Sequence, residues 1–333
     1  MVSTQQTVDI RAAAHLNKSA TINIMRYLLF LGLLACCLGC EPARDKKGKV
    51  LDTPTTGTLR LMIDEGYRPI LETSMDVFDS IYSLAKFEPT YCSEGEAVAA
   101  LIRDSVQVIV ITRKLTADEL KFFTQRGFTP KITPIAHDAV AFVLNPANSD
   151  TVFTVAQIRD IVAGKITKWT QLNPKSKLGD IRLVFDSPLS GTVRYVKDTI
   201  GGGAPLPANA SALNTNAEVI DYVSKNKNAV GIIAANWISD TDDKGVQKFR
   251  AEIKIADIAA ETGKEAYGPY QAYLQLNYYP FKRTVYIINA QARSGLGLGI
   301  ASYLAGSDGQ RIVLKDGLLP AQMPPRLIKP SRK

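Results

Sequence analysis

The sequence is poor in the residues on which much enzyme chemistry relies. Its 333 residues hold two histidines, His15 and His137, and four cysteines. Three of the cysteines, Cys36, Cys37 and Cys40, crowd behind one apolar run near the start. This scarcity leaves no Cys/His set for a zinc ion. Any Ser-His-Asp triad would have to use His137, and no activated Ser or Cys stands beside His137-Asp138. Beyond the N-terminal region no apolar run approaches the ~18 residues that a membrane span needs. A dense Lys/Arg tract with interleaved aromatics is also missing, which argues against nucleic acid as a partner. What the chain does have is a formal net charge of +8. That balance suits an anionic ligand or surface, although many basic soluble proteins share it. The length is too great for one ordinary core and fits two.

The N-terminal region carries an export pattern. Met25-Arg26 gives a short basic start, YLLFLGLLACCLG an apolar stretch of signal-peptide length, and Leu38-Gly39-Cys40 an end before polar Glu41. This resembles the bacterial lipoprotein signal, in which the cysteine is diacylated and becomes the new N-terminus. Leu33-Leu34-Ala35-Cys36 is a competing site; Cys40 is preferred because the apolar run continues through Leu38. Cys37-x-x-Cys40 has redox-pair spacing, but it lies inside the leader. Residues 1–24 lack an apolar run, which places the expected start at Met25. The expected order is a leader over 1–40, a flexible polar tether over 41–57, and a globular part from Thr58 to 323 before a polar tail, 324–333. A lipid chain ties such a protein to a membrane surface in the cell envelope. With the leader removed Cys92 has no thiol partner, so no disulfide is expected.

From Thr58 onward strand and helix patterns alternate, which predicts an α/β fold with largely parallel sheets. TLRLMID alternates as a half-buried strand, and VQVIVIT, DAVAFVLNP and AVGIIAA read as buried ones. Thr116-x-x-Glu119 and Thr154-x-x-Gln157 are capping boxes for helices 117–126 and 155–163. Strand 180–185 runs through Asp186–Leu189 into a helix over 191–200. GLGLG at 295–299 lacks the βαβ context of a dinucleotide loop, and no cofactor is expected. Trp169 reads as packing.

Four ordered segments carry a family resemblance. FTVAQIRDIVAGKITKWTQL, SGTVRYVKDTI, and YPFKRTVYIIN with AGSDGQRIVLKDGLLP resemble the phosphate-binding protein of phosphate ABC transporters, and VIVITRKLTADEL resembles its Ser-Arg segment. The similarity runs from about Thr58 to Pro320. It implies a type II periplasmic-binding fold with two α/β lobes, 58–140 plus 286–323 and 141–285. Ligand would lie in the cleft between them, and the crossover strands near Ala139–Leu144 and Thr284–Ile288. It also implies a monomer that captures inorganic phosphate or a similar oxyanion for an ABC-transporter permease, without turnover.

The same resemblance proposes the site. Ser190, Gly191 and Thr192 open a helix, where free N–H groups and hydroxyls favour an anion; Ser190 reads equally as a plain N-cap. Glu65, Gly66 and Tyr67 form the first ligand loop by position. Ser93 and Gly95 match a second loop or an ordinary cap. Thr112 and Arg113 end a buried strand, where Arg113 serves either an anion or an ion pair. Two departures stand out. The family's arginine four residues before the serine is Asp186 here, with Arg194 as a substitute, and its proton-accepting aspartate is Thr112. Glu65, Asp64, Asp138 and Asp186 are the candidate acceptors. These departures keep a second reading open, a sensor or surface structural lipoprotein of altered ligand. A third, a phosphatase-like hydrolase, lacks a nucleophile or paired metal ligands.

Overall fold

The structure, a computed structural model, describes residues 51–325 together with Arg44, Gly48 and Val50. Cys40 with the rest of the expected leader, and 326–333 of the expected tail, lie outside the described residues. The chain up to Leu51 is a unit of its own, of which an isolated Arg44–Val50 bridge is described. All that follows concerns the unit from Asp52 onward.

The strands are β1 (Gly57–Asp64), β2 (Ala85–Cys92), β3 (Val108–Ile111), β4 (Lys131–Leu144), β5 (Val152–Thr154), β6 (Arg182–Phe185) and β7 (Ala210–Ala212). They continue with β8 (Ala229–Ala234), β9 (Lys254–Ile255), β10 (Asp257–Ala259), β11 (Ala266–Tyr267), β12 (Lys282–Asn289) and β13 (Leu319–Pro320). The main sheet runs β2-β1-β3-β12-β4-β8-β6-β7. Its flanks, β2-β1-β3 and β8-β6-β7, are parallel, and the pairs at its centre, β3-β12, β12-β4 and β4-β8, are antiparallel. β4 is long enough to serve both halves. Lys131–Ala139 pair with β12, and Val140–Leu144 pair with β8.

The apolar cores divide at the same place. One is built from residues between Ala139 and Phe281, with Leu319. The other two use residues from Leu59 to Ala136 and from Val285 to Leu318. β4 and β12 are therefore the strands on which the chain passes between the two bodies. VIVI and AVGIIA are buried at every position, as expected of parallel strands covered on both faces. Trp169 is fully buried, with its indole N–H on the Asn228 carbonyl at 3.1 Å.

Several elements differ from the sequence reading. β4 starts at Lys131 rather than near Asp138. Pairing with β12 recruits KITPI, and Pro134 sits at the register shift opposite Val285/Tyr286, where a missing N–H costs nothing. The expected helix over 191–200 is α-helical only over Gly191–Tyr195 and widens into a π turn over Val196–Ile200, closed by Gly201 N–H on the Val196 carbonyl at 2.8 Å. The tether does not extend to residue 57. Asp52 accepts from the Leu296 N–H at 2.8 Å and so caps the helix Leu296–Ala305, and Gly57 already lies in β1. β5, β10 and β11 form a small separate sheet that no pattern announced.

Packing around β8 leaves no spare volume. A Cβ on Gly231 would lie 2.7 Å from methyls of Val143 and Val223 and 2.8 Å from one of Val219. Gly231→Ala should therefore destabilise the fold by about 1–3 kcal/mol through overpacking. A denaturant midpoint unchanged from wild type would contradict that packing.

Candidate functional site

Between the two bodies lies a layer of buried polar side chains. Ser190 ends the loop after β6 and caps the helix Gly191–Tyr195. Its Oγ accepts from the Val193 N–H at 3.1 Å and donates to Asp186 at 2.5 Å. Gly191 then points its N–H across the boundary to Asp64 Oδ2 at 2.9 Å, and the other Asp64 oxygen accepts from the Gly66 N–H at 3.0 Å. Thr192 Oγ1 accepts from Arg283 Nη1 at 3.2 Å. Arg194 pairs with Glu94 and donates to Thr112 Oγ1 at 2.9 Å, while Glu94 Oε2 takes the Thr112 N–H at 2.8 Å and its hydroxyl at 2.6 Å.

A second group stands behind the first. Arg283 reaches Asp138 at 3.1 Å with both side chains almost wholly buried, and lies over the Tyr67 ring at 5.5 Å. The Tyr67 hydroxyl donates to Asp138 at 2.8 Å, and the Asn236 N–H does so at 3.2 Å. Glu65 Oε2 accepts from Asn216 N–H at 3.1 Å and from its side-chain amide at 2.5 Å; Glu65 Oε1 is buried with no partner among the described residues. Asn236 and Trp237 donate to the carbonyls of Gly66 and Glu65 at 3.0 and 3.3 Å.

Gly191 is where these groups come closest. A Cβ there would lie 2.5 Å from Thr112 Oγ1, 2.7 Å from Asp64 Oδ2 and 2.9 Å from Glu94 Oε2. Only glycine allows three oxygens to gather so near the backbone.

Of the residues proposed from sequence, Ser190, Gly191, Thr192, Arg194, Thr112, Glu65, Gly66 and Tyr67 meet in this layer. Gly95 joins its edge through its N–H on the Leu189 carbonyl at 3.0 Å. Two are committed elsewhere. Ser93 is the N-cap of the helix Glu94–Ile102 in a reciprocal box with Glu96. Arg113 makes two 2.7 Å bonds to Glu119 on the helix that Thr116 caps, and its Nε stands 3.5 Å from Glu94. Local bonding fills both side chains. His137 bonds Thr284 Oγ1 at 3.0 Å while its neighbour Asp138 serves Arg283, so the two do not pair. Arg283, like Glu94, Asn216 and Asn236, joins the layer without having been singled out from the sequence. Its signal was phase: in β12, Arg283, Val285 and Ile287 share the buried face.

Electrostatics divide the carboxylates. Burial, with Glu94 and Asp186 nearby, lifts Asp64 to about 7, against the pull of Arg283 and the Gly191 N–H. Burial lifts Glu65 to about 7 as well, despite Asn216. Burial also opposes ionisation of Glu94, but Arg194 and Thr112 outweigh it and hold its carboxyl below the usual range. For Arg283, burial opposes the charge and Tyr67, Asp138 and Asp64 overcome it, so it stays a cation.

Asp64 and Glu65 start from 3.8 and 4.5, so the folded chain holds their protons up to about pH 7 while the unfolded chain loses them near pH 4. Stability from these groups is full below about pH 4 and is lost as pH rises through about 7. The melting midpoint should fall between about pH 5 and about pH 8. An Asp64→Asn/Glu65→Gln double variant should flatten that fall; an equally steep fall in the variant would contradict the assignment.

A family model for the PBP superfamily domain matches residues 51–308. The phosphate-binding protein PstS of Borreliella burgdorferi is 24% identical over 262 residues, covering 75% of this chain and 85% of that protein. The PstS of Pseudomonas aeruginosa is 23% identical over 317 residues, covering 90% and 94%. The crystal structure of an ABC-type phosphate transport receptor from Vibrio cholerae superposes with a TM-score of 0.60 at 17% identity, covering 79% of this chain and 100% of that one. With a match over most of its length, and with two α/β lobes meeting along a polar cleft, the chain belongs to the PBP superfamily and has the type II periplasmic-binding fold.

Proposed function

We propose that the chain is a solute-binding component of an ABC importer and that inorganic phosphate is its ligand. The observation that carries this reading is the convergence at Gly191. The Gly191 N–H and the Thr112 hydroxyl, which Arg194 reaches, lie together at the start of a helix beside carboxylate oxygens of Asp64 and Glu94, and Arg283 bonds the hydroxyl of the next residue, Thr192. Donors of that number and charge suit a tetrahedral oxyanion. The names of the PstS relatives and of the V. cholerae receptor supply phosphate as the anion. With Asp186 at the position where the resemblance puts an arginine, Arg283 supplies a guanidinium to the Thr192 hydroxyl from β12.

Asp64 is the acceptor in this reading. Thr112 stands where the family resemblance places a proton-accepting aspartate, and Asp64 Oδ2 and Glu94 Oε2 lie beside Thr112 Oγ1 around Gly191. An ionised carboxylate against a fully deprotonated anion is repulsive, whereas a shared proton makes the contact favourable. Hydrogen phosphate brings that proton and sulfate does not. Seating it requires Asp64 to leave the Gly191 N–H. The lobes 58–140 plus 286–323 and 141–285 then close on the anion around β4 and β12, with binding and no turnover. The reading extends to lipidation at Cys40, a monomer held at the envelope surface, and a permease as partner. Among the described residues no helix is long and apolar enough to cross a membrane.

One observation favours the second reading, a sensor or structural lipoprotein of altered ligand. Asp64 and Glu94 already place carboxylate oxygens on the donors that an anion would use.

Calorimetric titration of the purified chain, stripped of bound anion, decides between them. The transporter reading expects one-to-one phosphate binding that sulfate does not match. In Gly191→Ala, whose methyl would fill the point of convergence, it expects binding about a hundredfold weaker or more. No binding of either anion by the wild type would discard phosphate and leave the altered-ligand reading.

A further inference from the structure

A cavity of about 410 Å³ opens at the lobe boundary, with Asn236 and Trp237 among its lining and none of Asp64, Gly191, Thr112 or Arg283. The helix Arg68–Ile81 lines it from one lobe, and the helices Asn236–Ser239 and Lys244–Glu252 line it from the other. Its charge is opposite to that of the chain. Five carboxylates face a single guanidinium, Arg68, which is already bonded to Glu72 at 2.9 Å and stacked on Tyr91 at 4.9 Å. The chain as a whole carries +8.

Asp316 is the informative member. It is 5% exposed and lines the cavity, and its carboxyl makes no hydrogen bond to another described residue. It also caps the C-terminus of the helix Ser307–Lys315, the negative end of the helix dipole. Burial, then Asp240 and Asp243, push its carboxyl up to about 6, and the neighbouring Lys315 opposes them only in part. A buried carboxylate without a donor, at a helix C-terminus and beside two others, is unfavourable unless a cation joins it.

The carboxylates surround the cavity and do not converge on one point. Among the described residues no three Cys, His, Asp or Glu side chains are grouped to hold a metal ion. Trp237 and Phe249, with ring centroids 6.0 Å apart, supply an aromatic wall. Dispersed carboxylates, an aromatic wall and a volume in the range of small-molecule sites suit an extended organic cation. We propose that this cavity binds a small organic cation carrying ammonium or guanidinium groups, with Asp316 and Asp240 as its principal anchors. The site stands apart from the anion cleft and does not depend on the anion's identity.

Agmatine, which carries a guanidinium and an ammonium on a short chain, is the probe. Titrated into the purified chain in phosphate-free buffer, it should bind saturably at one per chain. Magnesium chloride at equal ionic strength and uncharged 1,4-butanediol should not compete. Asp316→Asn should weaken agmatine at least about tenfold while melting no lower than wild type, because it removes an uncompensated buried charge. Asp240→Asn, at a half-buried position, gives an independent second loss. Agmatine binding no tighter than magnesium, or unchanged in both variants, would overturn the site.

Discussion

Asp138 and Arg283 face each other from the two strands that join the lobes, and the cleft is built around keeping that pair bonded out of water. Both side chains are almost completely buried. Removing water from two charges costs several kcal/mol each, and their attraction offsets it only if the remaining donors and acceptors are filled. The structure fills them. Tyr67 and the Asn236 N–H complete Asp138, and Thr192 takes the free arm of Arg283. These three partners come from different elements on either side of the boundary. The pair therefore fixes the position of the loop after β1, the Ser-Gly-Thr loop and the turn after β8 relative to one another. Leaving either charge alone would cost about 3–5 kcal/mol.

The same economy explains the second layer. Gly191, Thr112, Arg194 and Asn216 present donors to a water-poor boundary, and buried donors must be met. Asp64, Glu94 and Glu65 meet Gly191, Arg194 and Asn216 from the opposite lobe, and Glu94 meets Thr112 from within its own. Carboxylates of the chain itself thus fill the donors at the boundary. On the proposed reading an anion exchanges one set of charged acceptors for another at the Gly191 N–H.

Much of the scaffold was legible because its determinants are local. The capping boxes at Thr116 and Thr154 and the all-apolar runs in β3 and β8 formed the elements that their patterns imply. β5, β10 and β11 have two or three residues each, too few for periodicity to register. In the polar layer, most residues singled out from the sequence share a loop with an obvious turn or helix start. Arg283 looked like one charge in an apolar strand, and only its phase with Val285 and Ile287 marked it as buried. Glu94 looked like a first-turn acid of a capped helix, and its reach to Arg194 depends on a contact 100 residues away in sequence. Ser93 and Arg113 had local and long-range uses open to them, and the local partners Glu96 and Glu119 took both.

On the proposed reading a ligand oxygen and the Asp64 carboxylate compete for the Gly191 N–H. ¹⁵N nuclear magnetic resonance of the Gly191 backbone amide, followed as phosphate is added, tests this. The amide should shift and saturate together with the binding isotherm, as Asp64 gives way to the anion. Phosphate binding with the Gly191 amide unmoved would contradict it, and would place the anion elsewhere in the fold.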